Sequence, residues 1–487
     1  MIKLASREKK LKKNNISLIT AAFPIFILVV LLSYNVFIYG DDALSGSNQF
    51  ILLIGGAVAA IIGFKNKIEY EFMIQKVAEN LKSVTGALLI LLFVGALAGT
   101  WLISGIIPAM IYYGLQILHP NIFLPACIII CAIISLATGS SWTTSATVGI
   151  ALIGIGKVLQ IPSGMVAGAV ISGAYFGDKL SPLSDTTNLA PAMAGGELFT
   201  HIRYMTYTTV PSIIITLIVF FVFSLTYEAT GTADTESLMT AINEKFSINF
   251  WLFLVPLTVI ILIVKKTPPI VALLIGTLLG GLFALIFQPG ILLEINNSEH
   301  LTPASAYRAI MDAISVSIEI STSNILLNDL FTSGGMEGML GTIWLIICAM
   351  VFGGIMDAIG ALTRISDALL NWAENTFQLF ASTVASCLAI NLTASDQYLS
   401  IVIPGKMFAK AYDERGLAPE NLSRTLEDSG TVTSVLIPWN TCGAYQSGVL
   451  GVSVGEYFIY AIFNWISPFI TIFYAAFRIK ISKNNKV

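Results

Sequence analysis

The chain has 487 residues, of which 55% are hydrophobic and only 11% are charged, and its mean hydropathy is +0.81. Because a soluble domain has about a quarter of its residues charged, this composition excludes a water-soluble globular protein. The net charge is −3, and the sequence has no basic stripe. These two features exclude nucleic-acid binding as the main function. Since a spanning helix takes about 20 apolar residues, we predict an all-α polytopic membrane protein with about a dozen transmembrane segments.

The N-terminal residues 1–15 are basic and precede an apolar run at 16–39. That run is too long for the core of a signal peptide and lacks a small-residue cleavage site, so it predicts a first membrane helix. Positive charge marks cytoplasmic segments. The basic N-terminus is therefore expected in the cytoplasm, as is the basic tail at 479–487.

Charge bias also predicts the course of the intervening chain. The lysine-rich residues 65–76 and the KKTPP turn at 265–269 are expected in the cytoplasm, whereas the acidic residues 288–337 are expected outside. The prediction divides the chain into a first half at 16–228, an external connection at 229–248 and a second half at 249–478.

The two halves resemble each other when the chain is shifted against itself by 255 residues. That offset aligns Gly86 with Gly341, Gly99 with Gly354, Gly105 with Gly360 and Thr138 with Thr393. A further slip of five residues sets DKLSPLS at 178–184 on DSGTVTS at 428–434. The first copy starts from the predicted inside and the second from the predicted outside. Halves of opposite topology are typical of secondary transporters.

Four polar stretches interrupt the apolar runs, at 138–144, 178–188, 393–397 and 428–434. Irregular backbone at membrane depth is tolerated only inside protein or against a water-filled cavity. We therefore predict re-entrant hairpin tips and helix breaks near the midplane. Carbonyls, hydroxyls and a single carboxylate suit Na⁺ better than a divalent ion, which would need more carboxylates.

These polar residues also have structural interpretations. Serine and threonine in membrane helices often serve interhelical packing, whereas carboxylates there are usually functional. Asp178, Asp185, Asp357 and Asp396 are candidates on that ground. Lys179 is expected to neutralise Asp178 as a structural pair. A surface location suits Glu427 and Asp428 equally well, and only the repeat alignment favours a site at Asp428.

The sequence offers little support for an enzyme. The five cysteines lie in apolar runs without a CxxC pair, the three histidines are far apart, and no HExxH or glycine-rich phosphate loop is present. No nucleophile–base pair is apparent either. We therefore predict neither catalysis nor a cofactor.

The stretch GAYFGDKLSPLSDTTNLAPAMAG at 173–195 resembles the NhaC family of Na⁺/H⁺ antiporters, as do residues 137–152 and 426–445. The resemblance covers essentially the whole membrane portion. It implies the ion-transporter superfamily fold, which has two hairpins and two broken helices formed by inverted repeats. The site residues that it implies are Asp178, Ser181, Ser184, Asp185, Thr186, Asn188, Ser140, Thr143, Asp428, Thr431 and Asn440. One departure is Thr143 and Thr144, which stand where the family has small and glycine residues.

The functional hypothesis is a secondary active antiporter of the cell membrane that exchanges Na⁺ for H⁺ by alternating access. Burial raises the pKa of a carboxyl, which can then alternate between Na⁺ and a proton. Asp185 is the predicted exchange carboxylate, with Na⁺ held at Asp185, Ser184 and Thr186. The alternative is a Na⁺/H⁺-coupled exchanger of malate or lactate, for which only Lys179, Lys406 and Asn440 could contact the carboxylate. A homodimer stays open.

Overall fold

The computed structural model describes residues 16–39, 46–117, 119–226, 235–328 and 330–484. The basic segment 1–15, part of the predicted external connection and the last three residues lie outside the described residues. Within the described chain, eight helices are long and apolar enough to cross a membrane, or ten if two bent pairs are single spans. The prediction of about a dozen exceeds this number because several apolar runs are broken near their middle.

The helices follow one another with short connections. The first half contains Leu18–Tyr39, Ser47–Lys65, Tyr70–Ile103, Ile106–Ile117, Pro120–Thr138, Ser141–Thr144, Ile150–Val158, Ser163–Leu180, Asp185–Ala194 and Leu198–Thr226. The second contains Thr235–Lys245, Leu254–Val264, Pro269–Phe287, Pro289–Ile295, Pro303–Ser315, Ile325–Asn328, Gly335–Gly338, Leu340–Ala358, Ala361–Asn371, Thr376–Ala394, Gln397–Glu414, Pro419–Leu426, Thr441–Leu450, Val454–Tyr457 and Ile462–Ala476. Two π-helical turns are Ser145–Gly149 and Glu427–Thr431, and three 3₁₀ turns are Phe250–Phe253, Ser434–Leu436 and Phe458–Tyr460. Strands Ile318–Glu319 and Thr332–Ser333 pair antiparallel.

Each half has one hairpin and one broken helix. The first hairpin runs up Pro120–Thr138 and turns at its tip, residues 139–140, into residues 141–158. The second hairpin joins Thr376–Ala394 to Gln397–Glu414 through its tip at residues 395–396. The first broken helix is interrupted at 181–184, and the second, residues 419–450, at 437–440. The predicted hairpins and broken helices are confirmed, except that the second break lies at 437–440 and not at the predicted 428–434.

The caps of these elements fix the register of the repeat. The tips Gly139 and Ser395 both have left-handed backbone, with φ of 70° and 60°, which suits the end of a helix. The helices after the tips are capped by Ser140 and Asp396, and those after the breaks by Ser184 and Asn440. Every pair is 256 residues apart (139 to 395, 140 to 396, 184 to 440).

The predicted five-residue slip is therefore wrong. At the register of the caps, Asp178 corresponds to Ser434, and Asp428 corresponds to Ser172. The slip aligned two short polar stretches that resemble each other only in composition. Helix ends are better markers of the alignment, because a shift in helix register turns every side chain to another face. The duplication itself is confirmed.

The two halves run in opposite directions. The long helix Tyr70–Ile103 packs against Leu340–Ala358, with Lys76 Nζ 3.3 Å from an oxygen of Asp357. Near its other end, Gly95 lies against the backbone of Gly335. Residues 65–76 and the segment 288–338 are therefore at opposite ends of the bundle, as the inverted repeat predicts. Asp357 is an ion-pair partner at one end of the bundle and does not line the cavity described below.

Both described ends of the chain lie at the Lys76 end of the bundle. The carbonyl of Ile16 accepts a hydrogen bond from Arg364 Nε at 3.0 Å, just after the helix that carries Asp357. The tail returns to Gly416, whose carbonyl accepts from the amide of Asn484 at 2.9 Å. We name this end the lysine face and the end formed by 288–338 the opposite face.

Single cysteines at Glu71 and Glu299, both exposed side chains at opposite ends, test the predicted orientation. A membrane-impermeant thiol reagent is expected to label Glu71→Cys in inside-out vesicles and Glu299→Cys in right-side-out vesicles. The wild-type protein is the control, because its five cysteines are buried. Labelling of both positions from one side would contradict the inverted arrangement.

Candidate functional site

The two hairpin tips and the break of the first broken helix meet at one cavity of about 620 Å³, which Thr441 lines just beyond the second break. It contains six of the predicted site residues, namely Ser140, Asp178, Ser184, Asp185, Thr186 and Asp396. Other polar residues along its wall are Ser83, Thr138, Ser141, Lys266, Thr267, Gln397, Tyr398 and Thr441. The cavity is therefore lined by oxygen atoms from both halves of the chain.

Asp178 joins the first broken helix to the tip of the first hairpin. Its Oδ2 accepts hydrogen bonds from the backbone N–H of Ser141 at 3.1 Å and from the Ser141 hydroxyl at 2.7 Å. Hydrogen bonds to an ionised group are about twice as strong as neutral ones. The carboxylate therefore fixes the hairpin tip while it borders the cavity.

Asp396 has a different environment in the second hairpin. Its Oδ1 caps the following helix by accepting from the amide of Leu399 at 2.9 Å. Its Oδ2 is buried and has no hydrogen-bond partner among the described residues. The neighbouring Ser395 carbonyl accepts from the amide of Thr441 at 2.9 Å, which ties this tip to the second broken helix. Asp396 thus lines the cavity and keeps one buried carboxylate oxygen without a partner among the described residues.

Asp185, the predicted exchange carboxylate, lies at the start of a helix with an exposed side chain. Exposure leaves its carboxylate hydrated, so the desolvation on which that assignment rested does not apply. Beside it, the hydroxyls of Ser184 and Thr186 lie 3.2 Å apart. The three residues predicted to bind Na⁺ are thus neighbours at the cavity.

The other predicted site residues do not line the cavity. Ser181 and Asn188 stabilise the first break through hydrogen bonds to its backbone. Thr143 donates its hydroxyl to Ser140 at 3.0 Å. Asn440 caps the helix after the second break and donates to Asn391 at 3.2 Å. Thr431 is buried within the second broken helix.

Lys179 pairs with Asp428, and the predicted pair with Asp178 is wrong. Lys179 Nζ forms an ion pair with Asp428 Oδ1, and both side chains are 0% exposed. The second oxygen of Asp428 accepts from the hydroxyl of Thr208 at 2.8 Å and from that of Thr471. Neighbours on a helix point about 100° apart, so Asp178 faces the cavity while Lys179 faces the second half.

The cavity lies toward the lysine face. Its wall includes Lys266 of the KKTPP turn, at the same end as the start of the long helix. On the other side, Trp142 and Tyr445 stack with ring centroids 3.9 Å apart, and the Tyr445 hydroxyl donates to the Trp142 carbonyl at 3.2 Å. Beyond Tyr445 its helix reaches Gly448, which contacts Thr342 near the opposite face. Because Trp142 lines the cavity, this aromatic stack borders it.

Several lining residues were missed because the predicted register was shifted. At an offset of 256, Ser141 corresponds to Gln397, Trp142 to Tyr398 and Asp185 to Thr441, and all six line the cavity. A search for helix caps at a constant offset would have found them. Glu427 has no such signal.

Antiparallel halves whose broken helices and hairpin tips enclose one polar cavity define a secondary transporter. The model of the Na⁺/H⁺ antiporter family matches residues 173–479. The Na⁺/H⁺ antiporter NhaC of Alkalihalophilus pseudofirmus is 34% identical over 468 residues, which cover 96% of this chain and 98% of that protein. The chain belongs to the Na⁺/H⁺ antiporter family.

Two further similarities are of different strength. The malate-2H⁺/Na⁺-lactate antiporter of Bacillus subtilis is 36% identical over 442 residues, covering 90% of this chain and 89% of that protein. A solved structure, that of Neisseria gonorrhoeae MtrF from a class of antimetabolite efflux pumps, covers 93% of this chain and 94% of its own at 12% identity and a TM-score of 0.40.

The aromatic stack of Trp142 and Tyr445 should limit the access of a thiol reagent to the cavity from the opposite face. In a Leu183→Cys variant, whose new thiol borders the cavity, a Trp142→Ala change is expected to speed labelling from that face by about two- to tenfold. This factor corresponds to the energy of an aromatic pair, about 0.5–1.5 kcal/mol. Tyr445→Phe retains the rings and should change the rate less. Equal rates in all three proteins would show that the stack is not the barrier.

The buried ion pair should be essential for folding. Lys179→Met leaves the Asp428 carboxylate unpaired, which is expected to lower the free energy of unfolding by about 3–5 kcal/mol. Adding Asp428→Asn removes that charge but keeps an acceptor for the threonines, so the double variant should regain most of the loss. Thermal unfolding in detergent measures both. A single variant as stable as the wild type would contradict the pairing.

Proposed function

We propose that this chain is a secondary active antiporter that exchanges Na⁺ for H⁺ across the cytoplasmic membrane by alternating access. The observation that carries this proposal is the lining of the cavity, where three carboxylates, Asp178, Asp185 and Asp396, stand with one lysine, Lys266, among serine and threonine hydroxyls. Such a set of hard oxygen atoms suits a small hard cation. Membership of the Na⁺/H⁺ antiporter family supports the same substrate.

Asp396 is the carboxylate that we assign to Na⁺ binding, in place of Asp185. One carboxylate oxygen of Asp178 already accepts two hydrogen bonds from Ser141, and Asp185 is exposed. Asp396 Oδ2 is buried without a partner among the residues described. Binding of a cation is more favourable at such an unpartnered oxygen than at an oxygen that already accepts hydrogen bonds from water or protein. Ser140 and Thr441, which line the same cavity, could supply hydroxyl ligands.

A second candidate function is the exchange of a small organic acid together with Na⁺ and H⁺. One relative carries malate and lactate in its name, and a cavity of about 620 Å³ has room for more than a dehydrated Na⁺. The residues first considered for binding such an anion, Lys179, Lys406 and Asn440, do not line the cavity. Lys266 does, but three carboxylates repel an anion, so we favour Na⁺ as the substrate.

Purified protein in vesicles with an internal pH dye tests the function. Addition of Na⁺ is expected to drive a pH change without any organic acid, and malate or lactate should not increase its rate. A response that needs malate or lactate would favour the second candidate. No response to Na⁺ with or without them would contradict both.

Asp396→Asn is expected to raise the Na⁺ concentration for half-maximal exchange by about tenfold or more, since removing an ionic ligand costs at least about 1.4 kcal/mol. Asp185→Asn is the matched control in the first half and should change it by about threefold or less. The measurement is the Na⁺ dependence of the vesicle pH response. A larger effect at 185 than at 396 would restore Asp185 as the exchange carboxylate.

A further inference from the structure

Glu427 is a buried carboxyl in the second broken helix that does not line the cavity. Its side chain is 0% exposed, and neither oxygen has a hydrogen-bond partner within the described part of the chain. Its neighbour Asp428 is satisfied by Lys179, Thr208 and Thr471. Two adjacent acids in one buried segment thus differ completely in how they are stabilised.

A purely structural carboxyl would be expected to have partners. Burying a polar group without a hydrogen bond is costly, and burying an isolated ionised carboxylate costs far more. Glu427 also opens the π-helical turn Glu427–Thr431, and π-helical turns inside helices occur frequently at functional sites. Protonated Glu427 is neutral, so it avoids the cost of burying an ionised carboxylate. Its surroundings therefore suit a carboxyl that binds a proton.

Glu427 lies directly behind the wall of the cavity. Thr186, which lines the cavity, is close to the Glu427 carboxyl, as is Thr431 of the π-helical turn, although neither meets hydrogen-bond geometry. The Thr431 hydroxyl is itself buried without a partner among these residues. Thr186 is therefore close to both the cavity and the buried carboxyl.

The charged and titratable groups around Glu427 come from several elements. Lys179 and Asp178 face it from the first broken helix, and Cys387 faces it from the second hairpin. On its own helix the nearest are Asp428, which Lys179 neutralises, and Arg424, whose guanidinium stacks over Tyr204 at 4.5 Å. His201 contacts Ser423 one turn before Glu427. The Lys179 charge is already balanced by Asp428, so ionisation of Glu427 adds one negative charge near the cavity, three residues from the Arg424 guanidinium.

We propose that Glu427 binds the exchanged proton at a site separate from the cavity where Na⁺ binds; this rests on the proposed Na⁺/H⁺ exchange. Ionised Glu427 favours Na⁺ in the cavity through its negative charge, and bound Na⁺ in turn favours loss of the proton. The two ligands thus weaken each other by the same factor, as linkage requires. The proton leaves the Glu427 carboxyl for cavity water past the Thr186 side chain, without a change in any covalent heavy-atom bond.

Two transport assays on the same vesicles test this site. In Glu427→Gln, Na⁺ uptake driven by a pH gradient is expected to fall by about tenfold or more, while exchange of radioactive Na⁺ for Na⁺, measured at saturating Na⁺, stays within about twofold of the wild type. Glu427→Asp should retain coupled transport with a shifted pH profile. Glu420→Gln, a partly buried acid earlier in the same helix, is the matched control and should behave as the wild type in both assays.

The outcomes separate this site from the function on which it rests. Absence of Na⁺-driven pH change in the wild type would overturn the function. Coupled transport by Glu427→Gln within about twofold of the wild type would overturn the site alone. Loss of Na⁺/Na⁺ exchange at saturating Na⁺ together with coupled transport, in protein that elutes as a single folded species, would also overturn it, because Glu427 would then be required for the movement of Na⁺ itself.

Discussion

The buried ion pair between Lys179 and Asp428 connects the two halves of the molecule at the level of the cavity. Each residue lies in a broken helix, one from each half, and neither side chain reaches solvent. A buried charge without a partner is not tolerated in such surroundings, so the two helices must stay in register with each other. The position of Asp178 follows, since it precedes Lys179 and points to the cavity when Lys179 points to Asp428.

Close backbone contacts complete this arrangement. Gly173 and Gly177 of the first broken helix lie against the carbonyls of Ile128 and Ala132, so that the hairpin and the broken helix touch without intervening side chains. Small residues permit such contacts between membrane helices. They bring the first tip within reach of Asp178, whose two hydrogen bonds from Ser141 then hold it. The geometry of the cavity is thus set by helix packing and a few polar contacts together.

Much of this fold could be predicted from the sequence, because a lipid bilayer permits few backbone structures. A polar stretch inside an apolar run can survive only as a tip or break. This rule identified both tips and the first break, and charge bias identified the opposed halves. The second break lies at 437–440, just past the predicted stretch at 428–434. The predictions failed where partners are distant in the chain. Lys179 stands beside Asp178, but its partner lies 249 residues away, and no local pattern reveals it. The exposure of Asp185 and the burial of Glu427 likewise depend on how helices pack, not on their own composition.

The differences between the two halves carry the chemistry. At equivalent positions, the first half has Ser140 and Asp185 where the second has Asp396 and Thr441. A fully symmetric cavity would duplicate each ligand and place like charges together. In this chain each pair of equivalent positions has one carboxylate and one hydroxyl. This limits the repulsion between carboxylates around a monovalent cation. The second half then contains both the carboxylate that we propose for Na⁺, Asp396, and the carboxyl that we propose for the proton, Glu427. Because one broken helix and one hairpin carry both groups, movement of these elements would transfer either ligand across the membrane but would disfavour the two together.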